Sequence, residues 1–272
     1  MSDLHCTMCP HACFLREGET GFCHVRTNYK GQNVNVLGNR IAALAMDPIE
    51  KKPLYHFYPG SHILSVGTYG CNLHCMFCQN HWLSMPESIS RGRDVSPEEL
   101  AEVILSMDDN LGIAFTYNEP LLNTEYIIET ARRIRPYGKK TVLVSNGCFS
   151  ASVQQMILPY VDAMNIDLKG PASFYRKLQG DYDTVHRFIE ESIKYGCHVE
   201  VTTLVVPGKS DDEEWVCSEA AWLASLDKDT VYHLTRYFPA YKSTAPATDP
   251  KVLYDLQKAA KMYLDHVYVG NI

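Results

Sequence analysis

The sequence predicts an α/β protein built on a parallel sheet, and three observations carry that expectation. From Ser61 onward, apolar runs of strand length alternate with amphipathic runs of helix length, six such units in series. Successive strands joined by helices become parallel neighbours, because the helix carries the chain back to the same edge. Unusual polar residues fall just beyond four successive strands, at the edge where parallel sheets bind ligands. Periodicity leaves two architectures open: a closed or partial barrel, and an open doubly wound sheet.

Residues 1–60 differ in texture, being rich in Cys, Gly, Asn and Pro. They predict a small cysteine-rich, metal-binding segment with a hairpin at Lys30-Gly31, then an irregular stretch from Asp47-Pro48 to Pro59-Gly60. Residues 61–272 predict the main domain. Its first strand is 62–67, and a cysteine-rich loop follows. Ser96-Pro97-Glu98-Glu99 opens a helix: Ser96 can cap, Pro97 fits the first turn, and Glu99 completes a capping box. Further strands are expected at 112–117, 141–144, 163–167, 198–204 and 231–234. Helices are expected at 124–135, 183–195 and 211–226, a last helix at 254–266, and a short final strand at 267–269.

The chain of 272 residues suffices for one sizeable core, and its 46% hydrophobic and 21% charged residues are ordinary for a globular protein. A net charge of -7 gives no global attraction to nucleic acid or acidic membranes. No apolar run reaches membrane-span length, and MSDLHCTMCPHACF lacks a basic segment followed by an apolar one. A cytoplasmic protein is the expectation.

Seven of the ten cysteines form two tight groups, Cys6, Cys9, Cys13 and Cys23, then Cys71, Cys75 and Cys78. Disulfide frameworks belong to secreted proteins, so this clustering points to metal. Cys148, Cys197 and Cys217 stand apart and read as small buried apolar residues. The segment Cys71-Asn72-Leu73-His74-Cys75-Met76-Phe77-Cys78 is C-x3-C-x2-C. Three thiolates so spaced can wrap one face of a 4Fe–4S cubane and leave its fourth iron without a protein ligand. A closed cluster carries electrons, whereas an open iron can bind a cofactor. The competing use is a zinc site completed by His74 or His81. In the N-terminal group, four thiolates close a coordination shell, which suits structural zinc or a saturated second 4Fe–4S cluster. Free thiols are the third alternative there.

The C-x3-C-x2-C loop, with Gly70 before it and Phe77 inside it, resembles the signature of the radical S-adenosylmethionine superfamily. Residues 61–240 look like the activating enzymes of glycyl-radical proteins, such as pyruvate formate-lyase. Within that group the chain is most similar to the radical enzyme of the AmmeMemoRadiSam system. That similarity rests on Cys9-Pro10-His11, Asp47-Pro48-Ile49-Glu50-Lys51-Lys52-Pro53-Leu54, Thr116-Tyr117-Asn118-Glu119-Pro120 and Val144-Ser145-Asn146-Gly147. It also rests on Asn165-Ile166-Asp167-Leu168-Lys169-Gly170, the strand 199–204 and Tyr268-Val269-Gly270-Asn271-Ile272.

The resemblance implies a partial (β/α)6 barrel, a 4Fe–4S cluster on Cys71, Cys75 and Cys78, and reductive cleavage of S-adenosylmethionine to a 5′-deoxyadenosyl radical that abstracts hydrogen from a substrate. Phe77 is then expected to flank the adenine. Asn118, Glu119, Ser145 and Asn146 would border the methionyl end, and Lys169, beside Asp167, would pair the methionyl carboxylate. Val144 stands where activating enzymes often carry an Asp that helps hold a monovalent cation, so that cation is not expected. A flavodoxin or ferredoxin would supply electrons, and Memo-like and AMMECR1-like proteins are implied partners. The alternative function is activation of a glycyl-radical enzyme. Arg236 and Tyr237, beyond the last long strand, are expected to face the substrate.

Overall fold

A computed structural model describes residues 3–85 and 92–272. Among them, an eight-stranded sheet forms the centre: β1 (Ala43–Pro48), β2 (His62–Gly67), β3 (Asn110–Phe115), β4 (Lys140–Ser145), β5 (Ala163–Asp167), β6 (His198–Val205), β7 (Val231–Arg236) and β8 (Val267–Gly270). Spatial order follows chain order, with β1 antiparallel to β2 and every later pair parallel.

That order decides between the two architectures. A doubly wound sheet reverses direction at a switch point, whereas here every crossover steps the same way. Right-handed crossovers then place the helices on one face, and the sheet curls around the other. The edge strands β1 and β8 do not pair, so the α/β fold is a partial barrel.

Among the described residues the α-helices of seven or more residues are α1 (Pro97–Leu105), α2 (Thr124–Ile134), α3 (Ala151–Ile157), α4 (Tyr182–Tyr195), α5 (Glu213–Leu226) and α6 (Pro250–Ala260). The capping box on α1 forms as expected: Ser96 N–H donates to Glu99 at 2.7 Å and Glu99 N–H donates to Ser96 Oγ at 3.2 Å. Asp181, Asp212 and Asp249 cap α4, α5 and α6 by accepting a first-turn N–H. The last helix therefore runs 250–260, not 254–266, because Asp249 and Pro250 supply a start signal one turn earlier. Turns after Ala260 then return the chain to lay Val267 beside Tyr232.

Two cores result from strand alternation. Outward residues such as Phe115, Leu143, Ile166, Val201 and Leu234 pack beneath the helices. Inward residues Ile63, Ala114, Val142 and Ala163 meet Ile49 and Leu54, forming a small apolar floor inside the curl. Residues 43–54, whose second half overlaps the stretch expected to be irregular, do two jobs. Ala43–Pro48 extends the sheet at an edge, where a terminal Pro is tolerated, and Ile49 to Leu54 plugs the barrel. The helix-forming composition of Ala43-Leu44-Ala45-Met46 hides this strand, since pairing with β2 overrides propensity.

The hairpin at Lys30-Gly31 joins Arg26–Tyr29 to Gln32–Asn35, with φ of 53° and 76° at the two turn residues. Among the described residues no helix is long and apolar enough to cross a membrane.

Candidate active site

Above the apolar floor the inward positions turn polar toward the C-terminal edge. Asp167, Thr202, His233 and Tyr268 stand in register across β5 to β8. They lead up to a cavity of about 580 Å³, within the usual range for ligand sites. Its lining includes Cys71, Cys75, Phe77, Cys78, Asn118, Glu119, Asn146, Asp167 and Lys169, from loops after β2, β3, β4 and β5.

The cysteine loop begins at Gly70, whose φ is +89°. Asn118 braces this start, accepting from Thr68 N–H at 2.9 Å and donating to Gly70 O at 3.1 Å. Leu73 N–H lies 3.3 Å and Asn146 Nδ2 3.7 Å from Cys71 Sγ. Burial pushes the Cys75 thiol up to about 12, with Lys169 pulling the other way. Burial and Glu119 drive Cys71 well above the ordinary thiol value. Thiols this buried ionise when a cation is bound to them, so the donor set fits an iron–sulfur cluster. Among the described residues no three Cys, His, Asp or Glu side chains are gathered to hold a single metal ion. A cubane sets each thiolate on a different iron and spaces them more widely.

Glu119 ties the loops together. Its buried carboxylate accepts from Ser145 Oγ at 2.8 Å, Asn146 N–H at 2.8 Å and Leu121 N–H at 3.0 Å. Burial still lifts it to about 7, outweighing those donors. Ser145 is spent on this bond and does not line the cavity; Val144 does, because alternation turns it inward. Ser145 thereby braces Glu119. Lys169 donates to Asp167 at 2.7 Å. Burial opposes the lysine's charge, but Asp167 and Cys75 outweigh it and raise Lys169. Phe77 packs against Phe174 and, edge-on, against Tyr237.

Arg236 and Tyr237 do not reach the cavity. Arg236 sits on the outward phase of β7, where Nε donates to Thr248 O at 2.8 Å. Tyr237 is fully buried, its hydroxyl donating to Ser243 at 2.7 Å. His233 and Thr235, on the inward phase, face the site instead.

Sequence reasoning gave Glu200 no role. Fully buried on β6, it accepts from His233 Nε2 at 2.6 Å, His198 Nε2 at 3.0 Å, Tyr55 N–H at 2.9 Å and His56 N–H at 2.7 Å. The signal was present: a glutamate on the inward phase of an apolar strand has to be paired. Asp47 was likewise given no role; it accepts from buried Lys52 and from the Tyr117 hydroxyl, both at 2.8 Å.

The N-terminal cysteines gather beside this site. Cys6 N–H donates to Cys13 O at 2.8 Å, and the Cys9 thiol, raised chiefly by burial, also feels Cys23, Cys6 and Cys13. Asn33 Nδ2 lies 3.3 Å from Cys6 Sγ, and Arg26 N–H 3.4 Å from Cys23 Sγ. Arg26, itself buried, donates to Leu122 O at 2.8 Å and pairs with Glu125, fastening the segment to α2. Cys148 and Cys197 are buried, and Cys217 is half-buried on α5.

The radical SAM superfamily profile matches residues 65–219, which run from the end of β2 through the cysteine loop and β3 to β6. An uncharacterized protein of Methanocaldococcus jannaschii is 36% identical over 99% of this chain and 81% of its own length. A second protein of that organism, named "Putative glycyl-radical enzyme activating enzyme", is 26% identical over 79% of this chain and 91% of its own. A domain of the pyruvate-formate lyase-activating enzyme from Bacteroides vulgatus superposes with a TM-score of 0.52 at 18% identity, covering 59% of this chain and 99% of that domain. The profile spans more than half of the chain, and the single-wound partial barrel carries the cysteine loop after its first parallel strand: the chain belongs to the radical S-adenosylmethionine superfamily.

Proposed function

We propose that the protein is an enzyme that cleaves S-adenosylmethionine at a 4Fe–4S cluster on Cys71, Cys75 and Cys78 and removes hydrogen from a substrate held in the same cavity. The carrying observation is that these three cysteines line one cavity with Glu119, Asn146, Asp167 and Lys169 from three other strand ends. When bound, the cluster would supply one electron to split S-adenosylmethionine into methionine and a 5′-deoxyadenosyl radical.

The chain's own residues bind and orient. Phe77, wedged by Phe174 and Tyr237, offers a fixed aromatic face for the adenine. Lys169, kept cationic by Asp167, is placed to meet the methionyl carboxylate. Asn118 and Glu119 hold the loop that borders the methionyl amino group. The apolar floor closes the barrel below and limits water around a reactive intermediate. The N-terminal cysteines hold zinc or a second 4Fe–4S cluster. Electrons come from a flavodoxin or ferredoxin. The family placement we favour is the AmmeMemoRadiSam radical enzyme, with Memo-like and AMMECR1-like partners.

A second reading, activation of a glycyl-radical enzyme, is favoured by the relative that carries that name. It predicts a glycyl radical on a partner protein, seen by electron paramagnetic resonance. The deciding measurement for the main reading is anaerobic iron analysis with reduced-state electron paramagnetic resonance on wild type and Cys75→Ala. A signal that S-adenosylmethionine perturbs, and that Cys75→Ala abolishes, is expected. Protein that takes up no iron under reconstitution would overturn it.

A further inference from the structure

The four-cysteine segment presses directly on the cysteine loop of the active site. Gly70, next to Cys71, has no room for a Cβ, which would stand 2.7 Å from Cys23 O and 2.8 Å from Val25. His11, between Cys9 and Cys13, bonds through Nε2 to Asn72 O at 2.9 Å. Phe22, next to Cys23, is stacked between two rings: His11 at 3.9 Å and His74, next to Cys75, at 4.1 Å. His24 lies parallel to His74 at 5.9 Å. Every ring in this stack is within two residues of a cysteine, and together they span the contact between the two cysteine sets.

A structural zinc staple needs no such contact, because its work is done within its own segment. Other features fit an electron-transfer role. Amide donors lie beside Cys6 and Cys23, where they would tune the potential of a cluster held there. His74 Nε2 is buried with no hydrogen-bond partner, a cost that filling the space with Phe or Leu would avoid. Cys9 and Cys13 are half-buried, which leaves the far side of the segment accessible to a donor protein.

Building on the function proposed above, we propose that Cys6, Cys9, Cys13 and Cys23 hold a second 4Fe–4S cluster that passes single electrons to the active-site cluster across the His11–Phe22–His74 contact. Four protein ligands saturate such a cluster, so it has no open iron for substrate and serves electron transfer. The electron enters from a one-electron protein reductant of the flavodoxin or ferredoxin class. In the internal step the N-terminal cluster is oxidised by one electron and the active-site cluster is reduced by one. No bond forms or breaks and no proton moves.

The test uses anaerobically reconstituted full chain: wild type, Cys9→Ala/Cys13→Ala and Phe22→Ala. About eight irons are expected in wild type and about four in the double variant, which keeps the signal that responds to S-adenosylmethionine. Full reduction of wild type should give magnetically interacting signals, a readout that needs no variant to fold. Stopped-flow reduction of the active-site cluster by reduced flavodoxin should slow tenfold or more in the double variant and severalfold in Phe22→Ala. Four irons with one zinc, two signals that do not interact, or unchanged reduction rates would each overturn the relay. Loss of the response to S-adenosylmethionine in eight-iron wild type would instead strike the active-site reading, so the two failures are distinguishable.

Discussion

Glu200→Gln tests the polar layer beneath the cavity. The wild-type carboxylate receives four donors, two from histidine rings and two from backbone N–H groups. Burial alone would raise its pKa, but His198, His233 and the N–H groups of Tyr55 and His56 hold it down to about 2. Set against the ordinary glutamate value near 4.5, that depression corresponds to about 3 kcal/mol of stability at neutral pH. Because the folded value is the lower one, this contribution is complete above pH 4.5 and disappears as pH falls toward 2. Glutamine keeps one acceptor oxygen and turns an NH2 group toward donors, so two of the four are stranded. The expected cost at pH 7 is about 3 kcal/mol, or roughly 5 °C in melting temperature. Urea and thermal unfolding of both proteins from pH 8 to pH 3 provide the assay. The gap should stay level down to about pH 5 and narrow below it. A gap under about 1 kcal/mol, or one as large at pH 3 as at pH 7, refutes the argument.

Three further outcomes are expected. Lys169→Met should weaken S-adenosylmethionine binding about tenfold or more, measured anaerobically by equilibrium dialysis; unchanged affinity would remove Lys169 from the carboxylate site. Gly70→Ala should cost about 2 kcal/mol or more, from the positive φ and the collision with Cys23 O, and should expose residues 3–40 to protease before the rest of the chain. Ser96→Ala should lower stability by about 1 kcal/mol by removing one half of the capping box, while Ser96→Thr should retain most of it.

Much of this site is legible in the sequence because its parts are local. Cys71, Cys75 and Cys78 share one loop, and the spacing that brings them together can be read directly. Asn118, Asn146 and Lys169 sit one to three residues past recognisable strands, so the topology of a parallel sheet gathers them at one edge. What could not be read depends on side-chain phase or on distant partners. Ser145 and Val144 exchange places once β4 is set in register. Arg236 turns outward and His233 inward for the same reason. Glu200 is unremarkable until the loop at Tyr55 and His56 folds back onto it from nearly 150 residues away, which no local pattern reports. β1 is hidden by its composition and exists because β2 offers an edge.

The contact between the N-terminal segment and the cysteine loop joins these two kinds of information. The loop requires a residue at positive φ before Cys71, and glycine meets that need at little cost. A non-glycine residue such as Asn tolerates positive φ as well, so the turn by itself does not demand glycine. The second constraint comes from Cys23 O and Val25, which occupy the space a Cβ would take. Gly70→Asn therefore separates the two requirements: the turn survives it, whereas the docked segment does not. If Gly70→Asn left the segment seated, with Arg26 and Glu125 still paired, the close approach would carry no weight. If the segment lifted while the active-site cluster stayed bound, glycine would be there for the contact. The path from the N-terminal cysteines to the loop would then be a feature that the fold maintains at the expense of every larger side chain.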